Sequence, residues 1–287
     1  MEIRLPRDLM SDEEWSLFEH FILAARAPNG RKPTNHRLVL DGIFWIARIG
    51  SPWRDLPEES GKWSSVYRQF RRWTLAGLWE DILEALNQSG AVPDALQMLP
   101  LGGTAACRAV DSTVIRAHHP LPGRALRRQC PEREAAGAKG GPPRQGFGRS
   151  RGGFTTKIHL RVNAHGLPMR TGITPGQTSD YPGFDLVIAD NLPEPRGLLA
   201  DRGYDADRIR KAMSQRGILT QIPMRKTRKM RVGVDRGLNR LRNMVERCFN
   251  KLKNARRVAT RYDKTAESYL GFVDITSIRI WFRHLST

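Results

Sequence analysis

Apolar positions in the first ninety residues recur at helical spacing. Ser11 and Glu14 stand three apart as a capping-box pair, and Trp15, Phe18, Phe21 and Ile22 behind them share one helix face. A second helix is predicted from a Thr34 cap to about Ile49, with Leu38, Leu40, Ile43, Phe44 and Ile46 apolar and Gly50 placed to stop it. A third begins near Lys62. Its apolar stripe is Trp63, Val66, Tyr67, Phe70 and Trp73, and Arg68, Arg71 and Arg72 lie on the other side, either as a recognition helix presents them or as a solvated face on a core helix. Between the second and third helices, Pro52 and Pro57 stiffen the connector, since each fixes its own φ and biases its predecessor toward extended geometry.

From about residue 105 the pattern changes to strands mixed with helices. Arg108 to Ala117 reads as a strand, and Phe154 to Val162 with Leu167 to Ile173 reads as a hairpin turning at Asn163-Ala164-His165-Gly166. Residues 130–153 are rich in Gly, Pro and basic residues without apolar periodicity, which predicts a mobile basic loop. Its part from Arg144 to Arg151 is either a plain linker or a clamp on DNA backbone. Gly197 to Ala200 is a short buried-strand signal; with a helix over Ala206 to Gly217 and a strand over Ile218 to Ile222 it makes a βαβ unit. A long helix is predicted from Arg236 to Arg256. The division that follows is a helical domain over 1–90, a linker over 91–104 and an α/β domain over 105–287.

Charge sharpens this division. The 287 residues hold 48 Lys+Arg and 29 Asp+Glu, a net charge of +19 that favours a polyanionic partner, nucleic acid first. The first ninety residues are balanced, with 12 basic and 13 acidic side chains, so the surplus lies beyond them and is densest from Asp207 to Arg261, where 18 basic residues face 3 acids. That run predicts a phosphate-binding track. An anionic membrane surface would call for a basic amphipathic helix or a lipidation signal, and neither appears at the termini; Leu38 to Ile49, the most apolar stretch, is interrupted by Asp41 and Arg48. The three cysteines are too widely spaced for a disulfide framework or a Cys-x-x-Cys zinc site, and the expectation is a cytoplasmic protein, without a membrane partner, associated with the nucleoid.

Three carboxylates stand out. Asp111 lies within the first strand of the second domain, and Asp201 directly follows the buried run Leu198-Leu199-Ala200, at a carboxyl strand end where α/β folds place function. Glu246 is the lone acid between Arg236 and Arg261, and it either pairs with Arg242 one turn away or serves a site. Three acids from separate elements suffice for a two-metal phosphodiester site, because hard divalent cations take a few carboxylates and otherwise keep water or phosphate oxygens. No Gly-x-x-x-x-Gly-Lys-Ser/Thr sequence occurs, which disfavours an ATP-driven motor. Asp205, four residues after Asp201, is predicted to be the N-cap of the helix that follows it. His159 is expected to be a satisfied, partly buried strand residue.

These residues resemble a known family. Gly50-Ser51-Pro52-Trp53-Arg54-Asp55-Leu56-Pro57 and Phe70-Arg71-Arg72-Trp73, then Asp111-Ser112-Thr113 with Ala117-His118, are similar to segments of the bacterial DDE transposases of the insertion-sequence-five family. So are Ser150-Arg151-Gly152-Gly153, Thr155 to His159, Gly176-Gln177 and Asp180, Ala200 to Asp205, Val245-Glu246-Arg247 and Arg261 to Thr265. The similarity spans nearly the whole chain.

It implies an α/β fold, with a ribonuclease-H-like catalytic domain of mixed sheet and flanking helices preceded by a small all-helical DNA-binding domain. It further implies that Asp111, Asp201 and Glu246 hold two Mg2+ ions, for which Mn2+ can substitute. The expected DNA contacts are Arg71, Arg72, Arg151, Lys157, Arg242, Arg247, Lys253 and His118. Related families carry a Tyr seven residues before the Glu, an Arg four before it and a Lys seven after it; Arg242 and Lys253 match, and Asn239 replaces the Tyr. The implied partner is double-stranded DNA, both the element's ends and the target, handled by a homodimer or larger synaptic complex. A nuclease without strand transfer and a catalytically decayed DNA-binding repressor are the other readings.

Overall fold

The computed structural model describes residues 10–24, 35–88, 107–118, 145–150, 153–188, 195–225, 228 and 233–285. Four helices come first: α1 (Asp12–Ala24), α2 (His36–Ile49), α3 (Trp63–Leu75) and α4 (Leu78–Gln88). The capping box forms as predicted, with the Glu14 N–H donating to Ser11 Oγ and the Ser11 N–H to Glu14 Oε2, both at 3.1 Å. At α2 the cap is Asn35, not Thr34, which lies outside the described residues. Asn35 takes φ +32°, a conformation Asn tolerates better than most residues, and its side chain accepts the Leu38 N–H at 3.3 Å. Gly50 ends α2 at φ +73°.

The second half is built on one mixed sheet. Its strands are β1 (Cys107–Ala117), β2 (Gly148–Ser150), β3 (Gly153–Val162), β4 (Pro168–Pro175), β5 (Gly197–Ala200), β6 (Leu219–Gln221) and β7 (Thr260–Arg261). Antiparallel β3 lies on one side of β1, with β2 and β4 sharing the outer edge of β3; parallel β5 and then β6 lie on the other side. β7 pairs in parallel with Arg116 and Ala117 at the far end of β1. Between the β5 pairing, which ends at Val110, and the β7 pairing, that edge of β1 carries no strand among the described residues. Asp111 stands where this gap opens.

Helices cover both faces: α5 (Asp180–Val187) and α6 (Asp207–Gln215) on one, α7 (Arg236–Leu241), α8 (Asn243–Lys253), the short α9 (Arg256–Ala259) and α10 (Ala266–Leu285) elsewhere around it. Val245, Cys248, Phe249 and Leu252 of α8 pack with Ala109, Ile158, Leu160 and Val162 of the sheet, while Phe184, Val187, Ile209 and Met213 meet Val110, Leu198 and Ala200 on the opposite face. Helix α10 is buried on several sides. Its Tyr269 and Val273 join the α8 core, and Phe272, Ile275, Ile278, Trp281 and Phe282 complete the core of α1–α4.

Four further expectations change. The single helix predicted over Arg236 to Arg256 is broken at Arg242, where the hydrogen bonds tighten to three-residue spacing, Arg242 N–H to Asn239 O and Val245 N–H to Arg242 O. Part of the predicted loop over 130–153 is β2, pairing Gly148 with Thr155; residues 130–144 and 151–152 are outside the described residues. Asp205 does not cap the following helix: Ala206 holds that position, and the Asp205 carboxylate is fully buried among Arg210 Nε at 2.9 Å, Arg228 Nε at 2.8 Å and the Arg225 N–H at 2.8 Å. The basic run over 207–261 is partly internal. Arg257 grips Asp263 with two nitrogens at 2.9 and 3.1 Å, and fully buried Arg261 donates to Thr156 Oγ1 at 2.7 Å with its guanidinium 3.6 Å from the Phe147 ring centre.

Candidate active site

Sheet register brings the first two acids together. Ala200 pairs with Val110, so Asp201, just past the end of β5, stands beside Asp111, which is still within the neighbouring parallel strand β1. The third acid comes from the helical layer: burial of Val245, Cys248 and Phe249 against the sheet sets Glu246 at the edge of α8, with its side chain 52% exposed. One guanidinium touches all three. Arg242 Nη1 lies 3.4 Å from Asp111 Oδ2 and 3.6 Å from Asp201 Oδ1, and Nη2 lies 3.4 Å from Glu246 Oε1. The break between α7 and α8 falls at this arginine. Glu246 therefore does pair with Arg242, and the pair belongs to a larger constellation.

Burial pushes the Asp111 carboxyl up to about 6, against the Ser112 N–H, which donates to its Oδ1 at 2.8 Å, and against Arg242; the neighbouring charges of Asp201 and Glu246 push it further up. The donor set is three carboxylates from a strand, a strand end and a helix, which suits hard oxygen-seeking cations. Among the described residues no three such groups close on a single point as they stand, and Arg242 supplies the counter-charge between them.

The other predicted contacts divide. Lys253 lies beside the cluster, its Nζ donating to Thr113 Oγ1 at 2.8 Å, and Arg247 is exposed next to Glu246. His118 is exposed at the end of β1 with its ring 5.0 Å from that of Tyr262, and Arg72 is exposed on α3. Two others have internal partners. Arg71 turns inward to Thr265 Oγ1 and Ser268 Oγ at 3.3 and 2.9 Å, joining α3 to the start of α10. Lys157 is also turned inward, donating to Asp180 Oδ1 at 2.8 Å and to the Thr178 carbonyl at 2.6 Å. Both cations are held by internal acceptors. Arg151 lies outside the described residues. His159 is buried as expected, bonded to Thr174 Oγ1 at 2.8 Å. Ser112 and Asp180, joined at 2.6 Å, were not legible as site residues, because their proximity depends on pairing across 68 positions of sequence.

A mixed sheet with acids at adjacent strand positions and a third acid on a flanking helix defines the ribonuclease-H-like class of phosphodiester-processing domains. Residues 102–273 match the family described as "Transposase DDE domain", and residues 10–83 match "Putative transposase of IS4/5 family". The chain belongs to the DDE transposases, of the IS4/5-like type, and is an insertion-sequence transposase, an enzyme of DNA cleavage and strand transfer. Among curated proteins, "Putative transposase for insertion sequence element IS6501" of Brucella ovis is 38% identical over 131 residues, 45% of this chain and 100% of that protein. "Putative transposase for insertion sequence element IS402" of Burkholderia cepacia is 31% identical over 131 residues, 42% of this chain and 59% of that protein. DDE transposase domains generally use divalent metals and act on DNA. Among the described residues, no helix is long and apolar enough to cross a membrane.

Proposed function

We propose that Asp111, Asp201 and Glu246 are the catalytic acids, and that the enzyme binds the terminal inverted repeats of its element, cuts there and joins 3′-hydroxyl ends to target DNA. The convergence of the three carboxylates on Arg242 carries this reading. When bound at these acids, two Mg2+ ions, or Mn2+ in their place, supply activation of the attacking water or 3′-hydroxyl and stabilisation of the leaving oxygen. The chain's own part is to hold the acids. β1 and β5 fix Asp111 and Asp201 through their register, and α8 packs Glu246 beside them. Arg242 and Lys253 on one side, with exposed Arg247 next to Glu246, would receive the phosphodiester backbone, and exposed His118 at the far end of β1 would extend that contact.

Residues 1–90 would recognise the ends, with Arg72 on α3 an outward cation, residues 91–104 would link, and residues 105–287 would perform the chemistry. Two ends held at once call for at least a homodimer, working on the nucleoid in the cytoplasm.

The test uses labelled element-end DNA with a target duplex. Asp111→Asn, Asp201→Asn and Glu246→Gln each remove a ligand charge with little change of shape, so each should abolish cleavage and joining while end binding in a gel shift persists. EDTA should act like the substitutions. Wild-type cleavage by any of the three variants removes that residue from the site. Cleavage without joined product identifies a nuclease, and a gel shift without chemistry in the wild type identifies a repressor.

A further inference from the structure

Behind the acids, on the α5 face of the sheet, lies a polar group that the proposed chemistry does not use. Asp180 opens α5, and its Oδ1 accepts from Ser112 Oγ at 2.6 Å and from Lys157 Nζ at 2.8 Å. Ser112 directly follows Asp111 and donates its N–H to that residue's Oδ1. The other carboxylate oxygen lies against the turn after Asp201: a Cβ built on Gly203 would come within 2.3 Å of Asp180 Oδ2. That turn, Arg202–Tyr204, is closed by the Tyr204 N–H bonding to the Asp201 carbonyl at 3.0 Å. One carboxylate thus touches the chain one residue beyond Asp111 and two residues beyond Asp201.

The support beneath it is rigid. Lys157 Nζ also binds the Thr178 carbonyl, and its side chain is 11% exposed, so it ties the turn before α5 to β3. Gly183 of α5 lies on the His159 ring, where a Cβ would come within 2.1 Å of the imidazole. The ring itself is held by Thr174. Helix α5 therefore approaches β3 as closely as a glycine permits, and Asp180 cannot shift without breaking contacts on two strands.

We propose that Asp180 is a positioning residue of the catalytic centre, a fourth carboxylate that sets the spacing of Asp111 and Asp201 through Ser112 and Gly203 without touching the reacting atoms. This rests on the reading that Asp111, Asp201 and Glu246 bind the metal. Partners that orient metal-binding carboxylates commonly change metal affinity by about 10- to 100-fold when removed.

The experiment titrates the DNA-free full chain with Mn2+, reading free Mn2+ by electron paramagnetic resonance, and in parallel finds the Mn2+ concentration that half-saturates cleavage. Asp180→Ala should weaken Mn2+ binding by about 10- to 100-fold and raise the half-saturating concentration to match. Gel-shift binding to element ends in EDTA should be unchanged. Ser112→Ala should move in the same direction by less, and Asp180→Asn, which still accepts the serine bond, should fall between. Gly203→Ala, whose Cβ displaces the Asp180 carboxylate, should reproduce the defect with every charge in place. Should Asp180→Ala fail to fold, the serine, asparagine and glycine variants decide. Folded variants with wild-type Mn2+ affinity and wild-type half-saturation overturn the proposal. Mn2+ binding that survives Asp111→Asn overturns instead the metal assignment beneath it, and both then fall.

Discussion

Serine at position 205 separates a helix cap from an ion-pair hub. As a cap, Asp205→Ser would cost a few tenths of a kcal/mol, since Ser and Asp cap about equally well. The structure demands more. The carboxylate is fully buried, and two guanidinium nitrogens and one backbone N–H point at it within 2.9 Å. A serine hydroxyl reaches at most one of them. Removing one partner of a buried ion pair costs about 3–5 kcal/mol; Arg210 and Arg228, 19% and 25% exposed, recover some hydration, which places the loss near about 3 kcal/mol. At about 2–4 °C per kcal/mol for a chain of this size, Tm should fall by roughly 6–12 °C.

The acid limb gives a second readout. Burial alone would raise the Asp205 carboxyl, but hydrogen bonds from Arg228, Arg225 and Arg210 outweigh it and hold the group at about 2. A depressed carboxyl contributes stability that is complete above its unfolded value near 4 and is lost as pH falls toward about 2. Urea unfolding followed by tryptophan fluorescence, at neutral pH and from pH 5 to 2, measures both effects. A serine variant within about 0.5 kcal/mol of wild type, with the same acid limb, refutes the hub.

Three further outcomes follow from buried polar groups. Arg161 is 2% exposed, with Nε and Nη2 unbonded; burial and then nearby Arg108, Arg170 and Arg216 push it down to about 9, so Arg161→Met should raise stability by about 1–3 kcal/mol, and a lower Tm would count against this. Burial pushes His159 down to about 4; the unfolded ring takes up a proton near 6.5, so wild type should lose stability relative to His159→Gln as pH drops from about 6.5 to about 4, and a constant difference in Tm over that range would contradict it. Arg257 joins Asp263 to the Ser51 carbonyl at 2.8 Å and lies 4.7 Å from the Phe272 ring centre, so Arg257→Ala should cost about 3 kcal/mol and Arg257→Lys should recover little, as urea unfolding will show.

Local signals were legible where their partners are local. The Ser11–Glu14 box, the Gly50 stop and the turn at Asn163 to Gly166 each involve residues a few positions apart, and all form. The three acids were legible as residues, and their meeting around Arg242 was not, because it depends on sheet register and on a helix break whose tight hydrogen bonds leave no mark in the apolar pattern. Asp205 was misread for a related reason: its position before a helix looks like a cap, while its partners Arg225 and Arg228 lie 20 and 23 residues on. The charge of the 207–261 run overstated its exposed cations, since composition does not reveal that Arg257 and Arg261 are interior.

Helix α10 has a consequence for how the protein is made. The aromatic core of α1–α4, with Phe70 stacked on Phe272 at 4.5 Å and Phe18 edge-on to Phe282 at 4.7 Å, is closed by residues the ribosome adds long after those helices. The α8 core likewise waits for Tyr269 and Val273. Segments made first ordinarily settle first during synthesis. Here α1–α4 remain without their last wall until Ala266–Leu285 has been made, so a ribosome stalled before Ala266 holds a chain in which neither core has closed.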